Sequence, residues 1–211
     1  MGRVLDLERT LLTHLDAHSY FDPAHSPSHI LRVVKTAKEI CLSEQGKLEI
    51  VLPAAYLHDC VMVPKDSPDR SRASTLAGEE AVRLLREWGY EEKYLEDIKH
   101  AIEAHSFSAG IEPRTLEARI VQDADRLDAI GAIGIARCLA LGGAMGSEIL
   151  NVDDPFCKKR EPDDKKFMID HFYVKLFKLE SMMNTDAGKQ IARERVLFMK
   201  EFLRVLEGEV V

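Results

Sequence analysis

The sequence lacks paired cysteines and long apolar runs. Its four cysteines, Cys41, Cys60, Cys138 and Cys157, are widely separated and form no C-x-x-C pair, so it has neither the pattern of a zinc knuckle nor that of a disulfide framework. No apolar run reaches the roughly 18 residues of a membrane-spanning helix, and the charged N-terminal segment lacks the apolar centre of a signal peptide. These absences predict a cytoplasmic protein that does not enter a membrane.

The chain also lacks an excess of positive charge. Its formal net charge is −7 over 211 residues. Because nucleic acid attracts proteins mainly through lysine and arginine, this balance argues against general binding of nucleic acid, although a local basic pocket could still hold a small phosphorylated ligand. Hydrophobic residues make up 45% of the chain, which is ample for a sizeable core.

Helical periodicity dominates the sequence, and no segment has a convincing strand pattern. Segments rich in proline and glycine separate the periodic stretches. Since neither a repeat nor a shift in composition is visible, the simplest interpretation is a single all-α domain over residues 1–211 with about eight helices. The predicted helices lie near residues 4–18, 28–45, 48–59, 74–88, 91–105, 115–140, 164–183 and 187–207.

Three aspartates interrupt the apolar pattern of the sixth predicted helix, in the segment VQDADRLDAI. The apolar residues of this segment recur at the spacing of a buried helical face. A lone ionised carboxylate on such a face costs several kcal/mol, roughly tens in the limit of an unscreened ion. At least one of Asp123, Asp125 and Asp128 therefore needs a cation, and an arginine and a metal ion are both candidates.

Two earlier segments contain residues that bind metals. SPSHILRVV places His29 near the start of a helix, and PAAYLHDC places His58 and Asp59 side by side at a helix end. At such an end the backbone can turn, so that an imidazole nitrogen and a carboxylate oxygen reach one ion at roughly 2.0 to 2.2 Å. Each segment alone is also compatible with an ordinary surface or core residue. Two imidazoles and two carboxylates from separate helices together suit a mid-series divalent metal ion.

The ordered set of His29, the pair HD at residues 58 and 59, and the pair AD at residues 124 and 125 resembles the HD-domain metal-dependent phosphohydrolases. The longer segments LHDCVMVPKDSPDRSRAST, IEAHSF and IVQDADRLDAIGAIGIAR look like a small bacterial branch that includes nucleotide pyrophosphohydrolases. With the tail HFYVKLFKLESMMNTDAGKQIARER, the resemblance covers nearly the whole chain. The chain departs from this branch at Ser26, where an acid often stands. The resemblance implies that the metal ligands are His29, His58, Asp59 and Asp125.

The neighbouring aspartates are assigned from helical geometry. On a continuous helix Asp128 lies near the face of Asp125, whereas Asp123 points away from it. We therefore predict that Asp128 supports the ligands or contacts the substrate, and that Asp123 accepts a hydrogen bond from a neighbouring helix. Arg126 could pair with either aspartate, and a plain surface ion pair is the alternative.

Charged residues in the loop after the HD pair are predicted to face the substrate. Lys65, Arg70 and Arg72 are candidates to hold phosphates, and Asp66 could orient the attacking water. A charged loop that is simply solvated is the alternative interpretation.

Two residues further along the chain complete the predicted site. His105, in IEAHSF, could contact a phosphate, protonate a leaving oxygen or bind a second ion. Lys175 lies one turn after His171 and could reach a phosphate. The resemblance supports a place in the site for His105 without choosing among its three roles.

The resemblance predicts hydrolysis of a phosphorylated small molecule, and specifically release of pyrophosphate from a nucleoside triphosphate. A nucleotidase or phosphodiesterase, a regulatory module that binds metal and nucleotide without turnover, and a purely structural helical protein are the alternatives. One divalent ion is expected. Manganese is favoured because it accepts six oxygen or nitrogen ligands, while iron, cobalt, nickel, zinc and magnesium stay open. The apolar residues near Met182 and Met183 predict core packing or a homodimer face.

Overall fold

A computed structural model of the chain describes residues 2–17, 27–63, 67, 69–106 and 109–210. Within these ranges the chain forms nine α-helices and no β-strand, so the predicted all-α class is confirmed. Short 3₁₀ helices cover Arg70–Arg72 and Leu176–Met182. The α-helices are α1 (Gly2–Ala17), α2 (Pro27–Glu44), α3 (Leu48–Leu57), α4 (Ala73–Glu87), α5 (Glu92–His105), α6 (Leu116–Leu127), α7 (Gly131–Ala144), α8 (Asp170–Val174) and α9 (Asp186–Val210).

The chain divides into two compact units, Met1–Asp125 and Arg126–Val211. The single domain over residues 1–211 stays a prediction. In the first unit α3 is the central helix, because every residue from Ile50 to Leu57 is buried, and a helix that is apolar on all sides must be surrounded by others. It packs against α1, α2, α4 and α5. Its C-terminal end therefore opens among other helices rather than at the surface.

The second unit is built around α9, which packs against α7 and the second 3₁₀ helix. Its core includes Phe172, Leu179, Met183 and Met199, all buried. Core packing, one of the two roles predicted for the apolar residues near Met183, is therefore confirmed, and a homodimer face stays a prediction.

The predicted sixth helix is wrong in its extent, because it is two helices. α6 ends at Leu127 and α7 begins at Gly131. Gly131 has a φ of +80°, which residues with side chains rarely adopt, and a Cβ at Gly134 would lie 2.3 Å from the carbonyl oxygen of Ala129. The glycines of GAIGIAR thus make the sharp turn between two helices. A Cβ at Gly131 would also lie 3.0 Å from the side chain of Arg195 on α9, so the chain packs closely against α9 there.

The predicted seventh helix is also shorter than expected. Only Asp170–Val174 is α-helical, followed by a 3₁₀ helix. The residues before it bond to a distant segment instead: the carbonyl oxygen of Lys166 accepts from the backbone N–H of Glu148, and the N–H groups of Met168 and Ile169 donate to the carbonyl oxygens of Glu148 and Ile149.

Among the described residues, no single helix is both long and apolar enough to cross a membrane; α6 and α7 reach that length and composition only when taken together.

Candidate metal centre

His58 lies at the C-terminal end of α3, and one of its ring nitrogens has no hydrogen-bond partner. The helix ends at Leu57, as predicted for the HD pair, and His58 is the cap residue. Its Nδ1 lies 2.8 Å from the carbonyl oxygen of Ala55. Because a carbonyl only accepts, Nδ1 carries the proton and Nε2 holds a lone pair. Nε2 is completely buried without a hydrogen-bond partner, a costly state that a bound cation would relieve.

His105 closes α5 in the same way. Its Nδ1 lies 2.6 Å from the carbonyl oxygen of Ile102, also three residues earlier. Its Nε2 faces Asp59, whose Oδ1 is 3.6 Å away. Two helices therefore end on histidines whose Nδ1 is held by a carbonyl three residues earlier, and both present Nε2 to one region.

His29 of α2 and Asp125 of α6 face each other across the same region. His29 is buried, and its Nε2 lies 3.4 Å from Asp125 Oδ1 and 3.9 Å from Asp59 Oδ2. His58 Nε2 lies 3.5 Å from Asp59 Oδ2. These separations are longer than strong hydrogen bonds. They fit atoms that share an ion, because two ligands each about 2.1 Å from one metal lie about 3 to 4 Å apart.

The five side chains form two overlapping triads. In each triad the candidate ligand atoms lie within 4.8 Å of one another. Asp59 and Asp125 keep 24% and 28% of their side chains exposed, so water or a ligand can reach the cluster. The triads are His29–His58–Asp125 and His58–Asp59–His105.

The protonation states of His58 and Asp125 suit metal ligands. Burial lowers the pKa of His58, and the opposing effect of Asp59 does not restore it, so His58 is neutral. Burial raises the pKa of Asp125, but the hydrogen bond to His29 and the surrounding imidazoles outweigh it and hold the pKa below its ordinary value. Burial likewise lowers the pKa of His105, whereas Asp59 raises it above normal. A neutral imidazole and an ionised carboxylate are the forms that bind a metal.

The structure brings the four predicted ligands together, and their role as ligands stays a prediction. His105 joins them as a fifth candidate, although the sequence left its role open. It shares one feature with His58: both histidines lie at the C-terminal end of a helix, three residues after the carbonyl that holds their Nδ1.

The prediction for Asp128 assumed a continuous helix. Because α6 ends at Leu127, the angular argument from Asp125 does not apply. Asp128 is buried and ion-paired with Arg137. Arg126, for which pairing with either aspartate was one alternative, donates to the carbonyl oxygen of Met182 at 2.6 Å. The catalytic role of Asp128 stays a prediction.

The structure gives less information on the other residues predicted to face the substrate. Lys65 and Asp66 lie outside the described residues, as does the side chain of Arg70. Arg72 is 63% exposed and pairs with Asp69 at 3.3 Å, which matches the solvated alternative. Lys175 is exposed at the end of α8, in the second unit.

Comparison with known proteins gives both sequence and structural relatives. The sequence profile of the HD domain family matches residues 28–130, which include all five residues of the cluster. The uncharacterized protein YpgQ of Bacillus subtilis is 36% identical over 190 residues, which cover 88% of this chain and 84% of that protein.

Two solved structures extend the similarity to the fold. The crystal structure of Bacillus subtilis YpgQ in complex with ADP is similar with a TM-score of 0.73 and 32% identity, covering 99% of this chain and 95% of that one. An HD-superfamily hydrolase from Bacillus thuringiensis gives a TM-score of 0.74 and 31% identity, with 99% and 96% covered.

Proposed function

Because the chain belongs to the HD-domain superfamily of metal-dependent phosphohydrolases, we propose that it hydrolyses a nucleoside triphosphate to a nucleoside monophosphate and pyrophosphate. Water forms a bond to the α-phosphorus, the bond from that phosphorus to the bridging oxygen breaks, and pyrophosphate leaves. The observation that carries the proposal is the buried, unpartnered Nε2 of His58 amid two carboxylates and two further imidazoles.

We assign His29, His58, Asp59 and Asp125 to one divalent ion, preferably manganese. The tautomer of His58, the ionised carboxylate of Asp125 and the spacing of the atoms support this assignment. A bound divalent ion lowers the pKa of a coordinated water and offsets charge on phosphoryl oxygens. His105 lies close enough to Asp59 to act as a further ligand or to keep that carboxylate in position.

The nucleotide class is supported by the relatives. YpgQ, which matches this chain over nearly its whole length, was crystallised with ADP. We assign Lys65, Arg70 and Arg72 to the substrate phosphates and Asp66 to the attacking water, because these charges follow the HD pair closely in sequence. Lysine and arginine offer the charge-assisted hydrogen bonds that phosphates need.

A hydrolysis screen of metal against substrate tests this function. Nucleoside mono-, di- and triphosphates are incubated with manganese, magnesium, iron, cobalt, nickel or zinc, and the products are identified by phosphorus NMR. We expect pyrophosphate from triphosphates with manganese, and none from the His58→Ala variant. Inorganic phosphate from monophosphates would instead identify a nucleotidase, and binding without turnover would identify a regulatory module.

A further inference from the structure

The C-terminal end of α5 is held by two side-chain donors. The chain leaves the helix at Ser106, which is extended with φ −73° and ψ 127°. The last four carbonyl groups of a helix have no amide partner within it. Two of these groups in α5 accept from side chains: that of Ile102 accepts from His105 Nδ1, and that of Ala104 accepts from the Gln122 amide, both at 2.6 Å.

Gln122 connects the two helices that carry opposite sides of the cluster. It lies on α6, three residues before Asp125, and only 4% of it is exposed. Its acceptor belongs to Ala104, which is completely buried and directly precedes His105. One hydrogen bond therefore fixes the distance between the helix that carries Asp125 and the residue next to His105.

We propose that Gln122 is a positioning residue, whose side-chain amide holds the end of α5 so that His105 Nε2 stays directed at Asp59. The inference rests on the proposed function, since it assigns Gln122 to the assembly of the metal centre. The position needs a donor of this length, because an apolar side chain leaves the buried carbonyl unsatisfied. An ionised glutamate would turn an acceptor towards it.

The two triads give this role a specific signature. Gln122 acts through α5, so its loss disturbs the triad His58–Asp59–His105 and leaves the triad His29–His58–Asp125 in place. Gln122→Met, which keeps the length and removes the donor, should therefore weaken binding of Mn²⁺ about 10-fold, as loss of a partner of a metal ligand does. His58 belongs to both triads, so His58→Ala should abolish binding of Mn²⁺.

A double-mutant cycle with His105→Ala separates positioning from general loss of stability. We expect Gln122→Met to weaken Mn²⁺ binding, measured by calorimetry, in the wild-type background and to have almost no effect once His105 is alanine. Val121→Ala is the matched control, because Val121 is fully buried on the same helix and its truncation lowers the melting temperature without removing the hydrogen bond. An equal effect of Gln122→Met in both backgrounds, or an effect no larger than that of Val121→Ala, would overturn the proposal.

Histidine NMR without metal keeps this test independent of the proposed function. Long-range ¹H–¹⁵N spectra of the metal-free protein report the tautomer of each imidazole. We expect Gln122→Met, or Gln122→Glu if the first variant does not fold, to change the signals of His105 and to leave those of His29 unchanged. If the wild type binds no metal, the proposed function fails while this measurement still decides the positioning role. Unchanged His105 signals would overturn it.

Discussion

Each unit of the molecule has a cluster of polar groups around an aspartate, and the two clusters are completed differently. In the second unit Asp170 is fully buried, and its carboxylate accepts from Arg160 at 2.5 and 2.7 Å, from the backbone N–H of Asp163 at 2.6 Å, and from Cys157 Sγ at 3.3 Å. In the first unit Asp59 and Asp125 face imidazole nitrogens at 3.4 to 3.9 Å.

The difference separates a structural cluster from a candidate site. A buried charge must be paired or bind a cation. Asp170 is satisfied by its own chain, so it holds the segment before α8 in place. In the first unit His58 Nε2 has no hydrogen-bond partner, so that cluster leaves a buried acceptor that a cation could satisfy. Burial of an acid therefore says less about function than how fully its neighbours satisfy it.

The largest expected effect belongs to the ligands of the first cluster. His58→Ala and Asp125→Ala should each remove bound metal and lower hydrolysis by at least about a thousand-fold, because no ion is left to activate water. The helical fold should persist, since neither change removes apolar core. Elemental analysis and circular dichroism measure the two properties. Metal content equal to that of the wild type in both variants would disprove the ligand assignment.

A substitution in the second cluster should lower stability and leave metal binding unchanged. Asp170→Ala leaves the Arg160 guanidinium without its carboxylate, and Arg160 is only 22% exposed. Because breaking a largely buried ion pair is costly, the free energy of unfolding should fall by about 3 kcal/mol. The amount of metal bound per folded molecule should stay unchanged. Urea denaturation measures the change.

Asp163→Asn provides the matched control for this experiment. Its side chain is 40% exposed and pairs with Lys166 at 3.5 Å, so its loss should cost no more than about 1 kcal/mol. Equal costs for the two variants, or a loss of metal from Asp170→Ala, would remove the distinction between the clusters.

The carboxylate of Asp170 should also make the stability of the second unit depend on pH. Burial raises the pKa of Asp170, but the bonds from Arg160 and Asp163 outweigh it and bring the pKa below its ordinary value of 3.8. A depressed pKa contributes stability above the unfolded value, and this contribution is lost as the pH falls through the folded value. Below about pH 4 the wild type should therefore lose stability more steeply than Asp170→Asn. Parallel urea titrations at decreasing pH measure the slopes, and identical slopes would contradict the assignment.

Much of the fold and four of the five residues of the first cluster could be predicted from the sequence, mainly because the signals are local. Apolar periodicity marked α1 to α5 closely. The pair at His58 and Asp59 follows an apolar run and precedes a breaker, so its place at a helix end was readable. The apolar helix indicated that at least one of Asp123, Asp125 and Asp128 needs a cation, and the resemblance to the HD-domain family selected Asp125.

The remaining features depend on contacts between distant residues. Periodicity continues through residues 128–130, so the turn before Gly131 was hidden by its own apolar pattern. The partner of Gln122 lies 18 residues away in sequence. Arg160 and Asp163, which donate to Asp170, lie before the predicted helix that begins at residue 164. Such pairings follow from the packing of elements, which local patterns do not specify.

The smallest expected effect is that of changing Asp128, whose surroundings resemble those of Asp170 but whose predicted role is in catalysis. It is buried like Asp170 and ion-paired with Arg137, whose side chain is 24% exposed. Asp128→Asn keeps an oxygen for Arg137 but removes the charge, so it should cost about 1 kcal/mol of stability. Because Asp128 is in neither triad, metal affinity should stay unchanged while turnover falls. Titration with Mn²⁺ and kcat/KM measured on the same preparation test this, with Arg137→Ala as the comparison. If both variants lower turnover equally, Asp128 acts through Arg137, whereas metal affinity that falls in step with the rate would make Asp128 a ligand.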